Sequence, residues 1–434
     1  MSVKWALVFV LAALAPPVPA KTQASRPSTS KKSARDVPAK ASDGNTLPIV
    51  TASSFGFQCG TGRPTNCPDV TWPTTIAQPG MIRLWDSQVQ WARINIAPGT
   101  YKWSLLDAYL DAIAAHQPRD AMYTFGYTPC WDTSGTCERA WGSSYPPDDL
   151  TPNGSPSFNA FVLALVTHCS PAGHCVKDYI KYWEMWNEAN GPKRWAGSIA
   201  QLYQLMASGV ATIRSKVPGA LILTPPADHG DTDWMEGWLA QENKSGRLSD
   251  IYSFHLYLQG IKPERRFDTI QRMVDLKNDT PGWRNTPWLN SETNFDAGTY
   301  ACDSGYSDDD CLGQMVRWHL LHFASGAKQL SWFYFNTTIG RNPVYSAAYH
   351  QMMGWLVGGH FTAACSENAE VYSCPFIRAN GHHAIFVWNP GGDASYIPAA
   401  QFRNAKDLAG GTTTISSGKP VRIGVKPIML ETAN

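Results

Sequence analysis

The sequence has few charged residues for its length. Lys, Arg, Asp and Glu make up 16% of the 434 residues, whereas charged residues are about 25% of a typical soluble protein. The formal net charge is only +1 at pH 7, so the chain lacks the basic excess that is typical of nucleic-acid-binding proteins. The composition therefore argues against a nucleic-acid partner and directs attention to uncharged ligands.

The sequence also lacks an apolar run long enough to cross a bilayer, and the run near its start is too short as well. Residues 1–20 combine a basic start, an apolar run at 5–15 and a small-residue exit, which is the pattern of a secretory signal peptide. Residues 21–46 are rich in Lys, Ser, Pro, Thr and Ala without apolar periodicity, and they predict a disordered linker. We therefore expect a secreted protein, extracellular or periplasmic, without membrane attachment after cleavage.

Several motifs of cofactor and hydrolase chemistry are missing. No glycine-rich phosphate turn follows the first predicted strand, which argues against a dinucleotide-binding fold. No serine lies in a nucleophile-elbow motif, which argues against an esterase. His319 and His322 lie three residues apart in a predicted helix, but no carboxylate or cysteine stands at matching spacing, so we expect structural histidines. The sequence predicts neither a metal nor a cofactor.

The ten cysteines lack the C-x2-C spacing that zinc sites favour. They fall into five pairs of near neighbours in a chain that we expect to be exported, which favours disulfides that staple loops. Spacing alone does not fix the connectivity, and local pairing is the simplest hypothesis. The predicted pairs are Cys59 with Cys67, Cys130 with Cys137, Cys169 with Cys175, Cys302 with Cys311, and Cys365 with Cys374.

Aromatic residues, by contrast, are abundant. They make up 12% of the chain and include 18 Trp. Aromatic rings in a weakly charged protein suit the flat, uncharged faces of sugars, although most of these Trp are expected in the core. An extended cleft for a polymer is one hypothesis, based on Trp131, Trp141, Trp195, Trp234, Trp238 and Trp332.

Short apolar runs alternate with segments of helical spacing between residues 47 and 359. The helical segments include 105–113, 158–166 and 202–213. A strand followed by a helix, repeated about eight times, is the pattern of a (β/α)8 TIM barrel, and a doubly wound open sheet is the structural alternative. The predicted strands are 53–57, 81–85, 121–125, 180–186, 221–224, 250–256, 287–291 and 329–335.

The character of the chain changes at residues 360–434, where Gly, Ser and Thr separate short strand-like runs. The predicted strands here are 371–376, 383–388 and 428–432, and Asn380-Gly381 is typical of a tight hairpin. We expect a small β-sandwich or β-sheet accessory domain packed on the barrel. Residues 47–51 are a candidate for an additional strand of that domain.

The run from Tyr179 to Trp186 ends abruptly in Asn187 and Glu188. A buried strand that stops there would place a carboxyl group at the mouth of the barrel, where the working residues of this fold lie. A carboxyl group walled by indole rings loses hydration and holds its proton more tightly, which suits a proton donor. The alternative is that Glu188 only caps the next helix.

A second carboxylate, Glu292, follows the seventh predicted strand. Glutamates at the ends of strands four and seven face each other across a barrel mouth. Retaining glycosidases need two carboxyl groups about 5–5.5 Å apart, one as acid and base and one as nucleophile. The two positions together therefore favour glycosidase chemistry over a helix cap.

Several motifs, in this order, resemble those of the clan A retaining glycoside hydrolases, with the closest likeness to glycoside hydrolase family 39 and related cellulase-like barrels. Trp186-Asn187-Glu188-Ala189-Asn190, with Glu292 104 residues later, is similar to the motifs that carry their two catalytic glutamates on strands four and seven. Ala189 stands where many relatives have Pro. Residues 91–107, 123–129 and 253–257 resemble the family's segments after strand two, at strand three and at strand six. The likeness spans about residues 55–335.

The resemblance implies a role for each site residue. Glu188 would be the general acid and then the general base, and Glu292 would attack the anomeric carbon. Asn187 would form a hydrogen bond with the sugar 2-hydroxyl, and Arg83 would keep Glu292 ionised. Either Tyr257 or His255 would orient Glu292, and Trp332 would form an apolar platform under the sugar.

Structural roles are the alternatives for the supporting residues. Arg83 could pair with Asp86 or Asp107, His255 could be a satisfied rim histidine, and Trp332 could belong to the core. We expect a secreted retaining glycoside hydrolase that cleaves β-glycosidic bonds in a poly- or oligosaccharide. A non-catalytic carbohydrate-binding barrel and a transglycosylase are the alternative functions.

Overall fold

The eight strands predicted for the barrel form one parallel sheet. The computed structural model describes residues 47–58, 79–116, 119–133, 135–137, 142–296, 298, 301–340 and 342–432. The strands are β1 (Phe55–Phe57), β2 (Met81–Leu84), β3 (Asp120–Thr124), β4 (Ile180–Glu184), β5 (Leu221–Leu223), β6 (Tyr252–His255), β7 (Trp288–Thr293) and β8 (Ala327–Trp332).

The order of the strands closes the sheet on itself. Neighbouring strands follow the order β5-β4-β3-β2-β1-β8-β7-β6. The two ends of this order meet at a parallel bridge between Leu223 and Ile251. The (β/α)8 barrel is therefore confirmed, and the doubly wound open sheet is wrong.

In the described part of the chain, one longer helix follows each strand from β2 to β8. The predicted helical segments lie in the first three of them. Serine side chains cap three of these helices. Ser155 Oγ accepts a hydrogen bond from Phe158 N, Ser198 Oγ accepts one from Gln201 N, and Ser307 Oγ accepts one from Asp310 N. The helices are α1 (Ser104–Ala115), α2 (Pro156–Thr167), α3 (Ile199–Lys216), α4 (Thr232–Ser245), α5 (Pro263–Asp279), α6 (Asp308–Ala324) and α7 (Pro343–Leu356).

Inside the barrel, an apolar layer is followed by a polar layer. Because strand side chains alternate between two faces, residues two positions apart point the same way. The apolar cluster includes Met81, Tyr182, Ile251 and Leu289. Two residues further along the same strands lie Arg83, Glu184, Ser253 and Ser291, all fully buried. The second layer brings polar groups under the carboxyl ends of the strands, where a site is expected.

After the barrel the chain forms two antiparallel sheets, as predicted. The larger sheet has the order β9-β11-β12-β17-β14-β15 with β10 paired to β11, and β13 pairs with β16. One apolar cluster draws residues from both sheets, including Val387, Leu430 and Ile423. The strands are β9 (His360–Phe361), β10 (Ser366–Asn368), β11 (Val371–Ile377), β12 (His383–Trp388), β13 (Ala394–Tyr396), β14 (Phe402–Lys406), β15 (Thr412–Thr414), β16 (Val421–Ile423) and β17 (Ile428–Thr432).

Two local predictions for this region have different outcomes. The turn at Asn380-Gly381 joins β11 to β12, and Gly381 has a positive φ of 82° that favours glycine. The proposed extra strand at 47–51 is wrong, because these residues carry no strand. Their contribution is a pair of backbone hydrogen bonds that tie Val50 to Gly358 and Gly359.

Disulfides form between near neighbours in the sequence. Four of the five predicted pairs are present: Cys130–Cys137, Cys169–Cys175, Cys302–Cys311 and Cys365–Cys374. Cys59 and Cys67, the fifth predicted pair, both lie outside the described residues. A disulfide between Cys59 and Cys67 therefore stays a prediction.

The predicted signal peptide and linker also lie outside the described residues. None of the described helices combines the length and apolarity that a membrane span requires.

Candidate active site

Two glutamates meet at the carboxyl ends of β4 and β7. One carboxylate oxygen of Glu188, one of Glu292 and a ring nitrogen of His255 all lie within 4.8 Å of one another. Both carboxylates are almost buried, with exposed fractions of 8% for Glu188 and 5% for Glu292. The structure therefore brings together the two carboxyl groups that the sequence placed at the ends of strands four and seven.

The backbone after β4 turns sharply to present Glu188. Trp186 and Glu188 have positive φ angles of 78° and 51°, a region that non-glycine residues rarely adopt. The next longer helix, α3, begins only at Ile199 and has Ser198 as its cap. Glu188 is therefore not the cap of that helix.

Positive φ angles are concentrated at this end of the barrel. Most of the non-glycine residues with this conformation in the described ranges lie two to four residues after the end of a barrel strand. Strained backbone of this kind is common where side chains must be held for function. These residues are Gln88 after β2, Tyr127 after β3, Trp186 and Glu188 after β4, Gln259 after β6 and Tyr334 after β8.

Glu292 receives two short hydrogen bonds. Arg83 Nη1 donates to Oε2 at 2.6 Å, and the Tyr257 hydroxyl donates to Oε1 at 2.5 Å. Burial raises the pKa of Tyr257 well above its usual value, and the negative charge of Glu292 adds to the rise. The phenol therefore keeps its proton and remains a donor to Glu292.

Arg83 connects four side chains in the polar layer. Besides Glu292, it donates to Gln58 Oε1 at 3.0 Å and to Asn187 Oδ1 at 2.6 Å. Its Nε donates to Glu184 Oε2 at 2.7 Å. Burial alone would lower the pKa of Arg83, but Glu184 and Glu292 reverse this effect and raise it. Arg83 pairs with neither Asp86 nor Asp107 within the described residues, so the structural alternative considered for it is wrong.

Glu184 is a site residue that the sequence reading missed. Its carboxylate is fully buried and also accepts hydrogen bonds from Thr124 Oγ1 at 2.9 Å and Ser253 Oγ at 3.1 Å. A signal was present, because an acidic residue inside a buried strand requires a partner. Because the run around Glu184 is mostly apolar, its pattern predicts a buried strand and indicates no role for its single acidic residue.

Asn187 turns one end of its amide toward Arg83. Its Oδ1 accepts from Arg83, whereas its Nδ2 is buried and has no hydrogen-bond partner among the described residues. A buried amide donor without a partner is costly unless a ligand accepts from it. This geometry fits the predicted contact with a sugar hydroxyl.

His255 contacts the other glutamate. Its Nδ1 lies 3.0 Å from Glu188 Oε1 and its Nε2 lies 3.1 Å from Ser291 Oγ. Burial lowers the pKa of His255 to about 4, so the ring is neutral near pH 7. Of the two residues expected to orient Glu292, Tyr257 is therefore the one in contact, and His255 belongs to Glu188.

Arg194 is a second residue that the sequence reading missed. Its Nε lies 3.2 Å from Glu188 Oε2, and its guanidinium donates to the Tyr127 hydroxyl. Burial opposes the charge of Arg194, but Tyr127 and Glu188 outweigh burial and raise its pKa. Arg194 lies in the loop between β4 and α3, where no periodicity or motif marks it.

Trp332 does not face the site. It is fully buried, its ring stacks on His319 of α6 at 5.7 Å, and its Nε1 donates to Thr338 Oγ1 at 3.0 Å. Residues two positions apart share a face, and the preceding Ser331 is the residue of β8 that points inward, toward Gly56. The expected sugar platform at Trp332 is therefore wrong, and the core alternative holds.

Three of the six Trp residues behind the extended-cleft hypothesis lie in the core. Trp195 and Trp238 are buried like Trp332, while Trp131 and Trp234 are partly exposed. Trp141 lies outside the described residues. Tyr334, two residues after β8, does line the mouth; it is partly exposed and faces the charges of Asp86 and Glu292.

A cavity of about 390 Å³ opens at the carboxyl ends of the strands. It is lined by side chains from three strand ends, among them Trp85, Asp86, Tyr127 and Tyr334, and it reaches Arg194, which contacts Glu188. Gly126 allows this packing, because a Cβ there would lie 2.4 Å from the Trp85 ring. The volume falls within the range of small-molecule sites.

Glu188, His255 and Glu292 could in principle each offer one atom to a metal. Their partners make this donor set a poor one. Two guanidinium groups, Arg83 and Arg194, already place positive charge on the two carboxylates, and both nitrogens of His255 are engaged. The arrangement favours acid–base chemistry over a metal centre.

No protein-family model matches the sequence. No curated protein matches it either. The fold, however, is similar to that of solved glycosidases. The catalytic domain of GH30 xylanase C from Talaromyces cellulolyticus aligns with a TM-score of 0.58 at 13% identity, over 90% of this chain and 98% of that chain.

Two further solved structures show the same fold. The GH51 arabinofuranosidase from Xanthomonas axonopodis pv. citri has a TM-score of 0.56 at 11% identity, over 90% of this chain and 98% of that chain. A glucosidase from Croceicoccus marinus has a TM-score of 0.55 at 12% identity, over 88% of this chain and 84% of that chain. The chain therefore has the fold of these glycoside hydrolases, and the closer likeness to family 39 stays a prediction.

Proposed function

We propose that the chain is a secreted retaining glycoside hydrolase that cleaves a β-glycosidic bond in a poly- or oligosaccharide by double displacement. The observation that carries the proposal is the separation of the two carboxylates, whose nearest oxygens lie within 4.8 Å. Retaining enzymes hold their carboxyl groups about 5–5.5 Å apart, whereas inverting enzymes leave about 6.5–9.5 Å for a water molecule. The short separation supports attack on the sugar by a carboxylate.

Glu292 is the proposed nucleophile. The fully buried Arg83 and the Tyr257 hydroxyl each donate to one of its two oxygens and hold the carboxyl group in position for attack. In the first step, a Glu292 oxygen bonds the anomeric carbon while the glycosidic C–O bond breaks. The product of this step is a covalent glycosyl-enzyme, with the leaving oxygen protonated by the other glutamate.

Glu188 is the proposed acid and base. In the first step it protonates the leaving oxygen, and in the second it removes a proton from the water that attacks the glycosyl-enzyme. Donation leaves Glu188 as an anion, which Arg194 at 3.2 Å stabilises. Arg194 is partly exposed and Arg83 is fully buried, so solvent screens the charge beside Glu188 more than the charge beside Glu292.

A chain of contacts connects Glu188 to the buried polar layer. It runs from Glu188 through His255 and Ser291 to Ser253, which donates to Glu184. These contacts hold the proposed acid in a fixed position relative to the other groups of the site.

Export of the protein is part of the proposal. Four disulfides stabilise described loops, and such bonds persist in oxidising compartments. The signal-like pattern of residues 1–20 supports the same conclusion.

Replacement of the nucleophile tests the first role. Glu292→Ala should lose almost all turnover on an aryl β-glycoside, and added azide should restore it and give a glycosyl azide of inverted configuration. Glu236→Ala, an exposed glutamate on α4, is the control and should keep wild-type activity. Failure of azide to restore turnover in a folded Glu292→Ala would contradict the nucleophile assignment.

Replacement of the acid tests the second role. Glu188→Gln should hydrolyse substrates with poor leaving groups far more slowly, because their oxygen must be protonated as it leaves. Substrates with an activated leaving group should form the glycosyl-enzyme at nearly the wild-type rate. An equal loss on both kinds of substrate would argue for a different acid.

Product analysis separates the alternative functions. A panel of plant, fungal and bacterial glycans should release reducing ends if the chain is a hydrolase. Binding without release would indicate a carbohydrate-binding barrel, and products longer than the substrate would indicate a transglycosylase.

A further inference from the structure

A third carboxyl group, Asp86, faces the two proposed catalytic glutamates. It lies two residues after β2, and the charges of Glu292, Arg83, Arg194 and Glu188 all act on it. Its Oδ2 is shielded from solvent, yet it has no hydrogen-bond partner among the described residues. Asp86 has no role in the two proposed chemical steps.

Asp86 differs in this respect from the other acids of the site. Glu184 and Glu292 both accept hydrogen bonds from Arg83, and Glu188 pairs with Arg194. Asp86 as a whole is partly exposed, but a buried carboxyl oxygen without a partner is costly to the folded state. Such groups are candidates for functional sites, where a ligand supplies the partner.

The loop that carries Asp86 is held in place. Gln90 Nε2 donates to Trp85 O at 2.5 Å across the turn, and Gln88 takes a positive φ of 56°. The Oε1 of Gln90 is also buried and without a hydrogen-bond partner in the described ranges. Two unpartnered acceptors, Asp86 Oδ2 and Gln90 Oε1, therefore belong to residues that line the same 390 Å³ cavity as Arg194, which contacts Glu188.

The surroundings indicate what the missing partner is. The cavity is also lined by Arg93 and Arg194, which disfavour a cationic ligand, while the carboxyl groups disfavour an anionic one. Tyr334 and Trp85 contribute aromatic surface to the same cavity. Neutral hydroxyl donors on a ring that can pack against aromatic side chains fit this combination.

We infer that Asp86 is a specificity-determining residue that accepts hydrogen bonds from hydroxyl groups of the sugar that becomes attached to Glu292. Asp86 lies three residues after Arg83, which contacts Glu292, so we place it beside the nucleophile's sugar rather than beside the leaving group. The site then selects a neutral glycone whose hydroxyl facing β2 is free and unsubstituted. This inference rests on the proposed function and names the substrate feature that the site reads.

Monodeoxy substrates test the inference. From 4-nitrophenyl β-glycosides of glucose, galactose, mannose and xylose, the best wild-type substrate is chosen and compared with its monodeoxy analogues. Wild-type kcat/KM should fall about 10- to 100-fold when one particular hydroxyl is missing, as expected for loss of a hydrogen bond to a charged group. Asp86→Ala should lower kcat/KM for the parent by a similar factor and leave that analogue unchanged, so the discrimination disappears.

Asp86→Asn is the matched variant, since its amide oxygen still accepts a hydrogen bond without the charge. It should retain part of the discrimination, and it provides the readout if Asp86→Ala does not fold. Equal losses of kcat/KM on the parent and all analogues would overturn the inference, because Asp86 would then act only on the charges of the glutamates. Unchanged discrimination would overturn it as well.

The same comparison distinguishes this inference from the proposed function. If the wild type hydrolyses none of the aryl glycosides, the hydrolase proposal fails on those substrates. Calorimetric Kd values for methyl β-glycosides and their monodeoxy analogues then replace kcat/KM. A hydroxyl-dependent Kd that Asp86→Ala removes supports the inference, and a Kd that Asp86→Ala leaves unchanged overturns it.

Discussion

Arg83 Nη1 lies 2.6 Å from Glu292 Oε2, and the same guanidinium bonds Glu184 on its other side. Both ion pairs are buried, with Arg83 and Glu184 fully shielded from solvent. One cation therefore serves two carboxylates in a region of low polarity, where each contact fixes geometry as well as charge. The position of the proposed nucleophile depends on this arginine.

Arg83→Lys should separate charge from geometry. An ammonium group keeps the positive charge but cannot bond Glu184, Glu292 and Asn187 in the same planar arrangement. We expect kcat to fall about 10²- to 10³-fold, the cost of removing one preorganised electrostatic contact, with a smaller change in KM. Steady-state kinetics on an aryl glycoside measure both constants.

The control for Arg83→Lys is Arg422→Lys, at an exposed ion pair with Asp393. It should leave kcat and KM unchanged. A kcat for Arg83→Lys within a few-fold of the wild type would show that charge alone suffices at this position.

Asp86 should make the protein less stable as the pH rises. Burial, followed by the charge of Glu292, raises its pKa to about 7 from an ordinary value of 3.8. The folded state thus binds this proton more tightly than the unfolded state. Its contribution is fully present below about pH 3.8 and is lost as the pH rises through about 7.

Asp86→Asn removes this titration. At pH 8 the free energy of unfolding should be higher in the variant than in the wild type. The difference between variant and wild type should increase by up to about 4 kcal/mol from pH 4 to pH 8. Urea unfolding at the two pH values measures the difference. A variant whose advantage does not grow with pH would contradict the raised pKa of Asp86.

Tyr334 and Trp332 should show opposite effects. Tyr334 lines the cavity and Trp332 is fully buried. Tyr334→Ala should raise KM several-fold with little change in the midpoint of thermal unfolding. Trp332→Ala should cost about 3–5 kcal/mol of stability, the usual range for a large core aromatic. Kinetics and thermal unfolding of both variants check the assignment, and the reverse outcome would restore Trp332 as the platform.

The sequence predicts the barrel and its two glutamates because these depend on local signals. Alternating strand and helix periods mark the elements, and a polar residue directly after an apolar run marks a strand end, as at Glu188 and Glu292. The partners of these glutamates depend on contacts across the barrel. Arg83 and Glu184 are 101 residues apart, and Arg194 comes from an irregular loop, so no local pattern connects them.

The error at Trp332 has a different cause. Side chains alternate between the two faces of a strand, so every second residue of β8 points inward. The resemblance that suggested a platform does not specify which face of β8 Trp332 occupies. Ser331 faces the interior beside Gly56, so its neighbour Trp332 points outward into the layer of α6. The outward direction of Trp332 could have been predicted from its polar neighbour Ser331, because a polar residue in a barrel strand is expected to face the polar interior of this site.

Three buried histidines should make the protein sensitive to acid. Burial lowers the pKa of His255 and His319 to about 4 and that of His322 to about 3. Their ordinary value is 6.5, so the unfolded state takes up protons first as the pH falls. The stability that these neutral rings contribute is present above about pH 6.5 and is lost as the pH falls toward 4.

His319 provides the clearest test because it lies outside the proposed catalytic contacts. Its Nδ1 donates to Met315 O at 2.8 Å, and its ring packs between Phe55 and Trp332. His319→Gln should be less stable than the wild type at pH 7, since it loses this packing, but it should lose about 2 kcal/mol less between pH 7 and pH 5. The exposed His383→Gln is the control and should keep the wild-type slope. Urea unfolding at pH 7 and pH 5 measures how the free energy of unfolding changes with pH. If this change is the same in His319→Gln as in the wild type, His319 does not have a lowered pKa in the folded state, and the prediction is wrong.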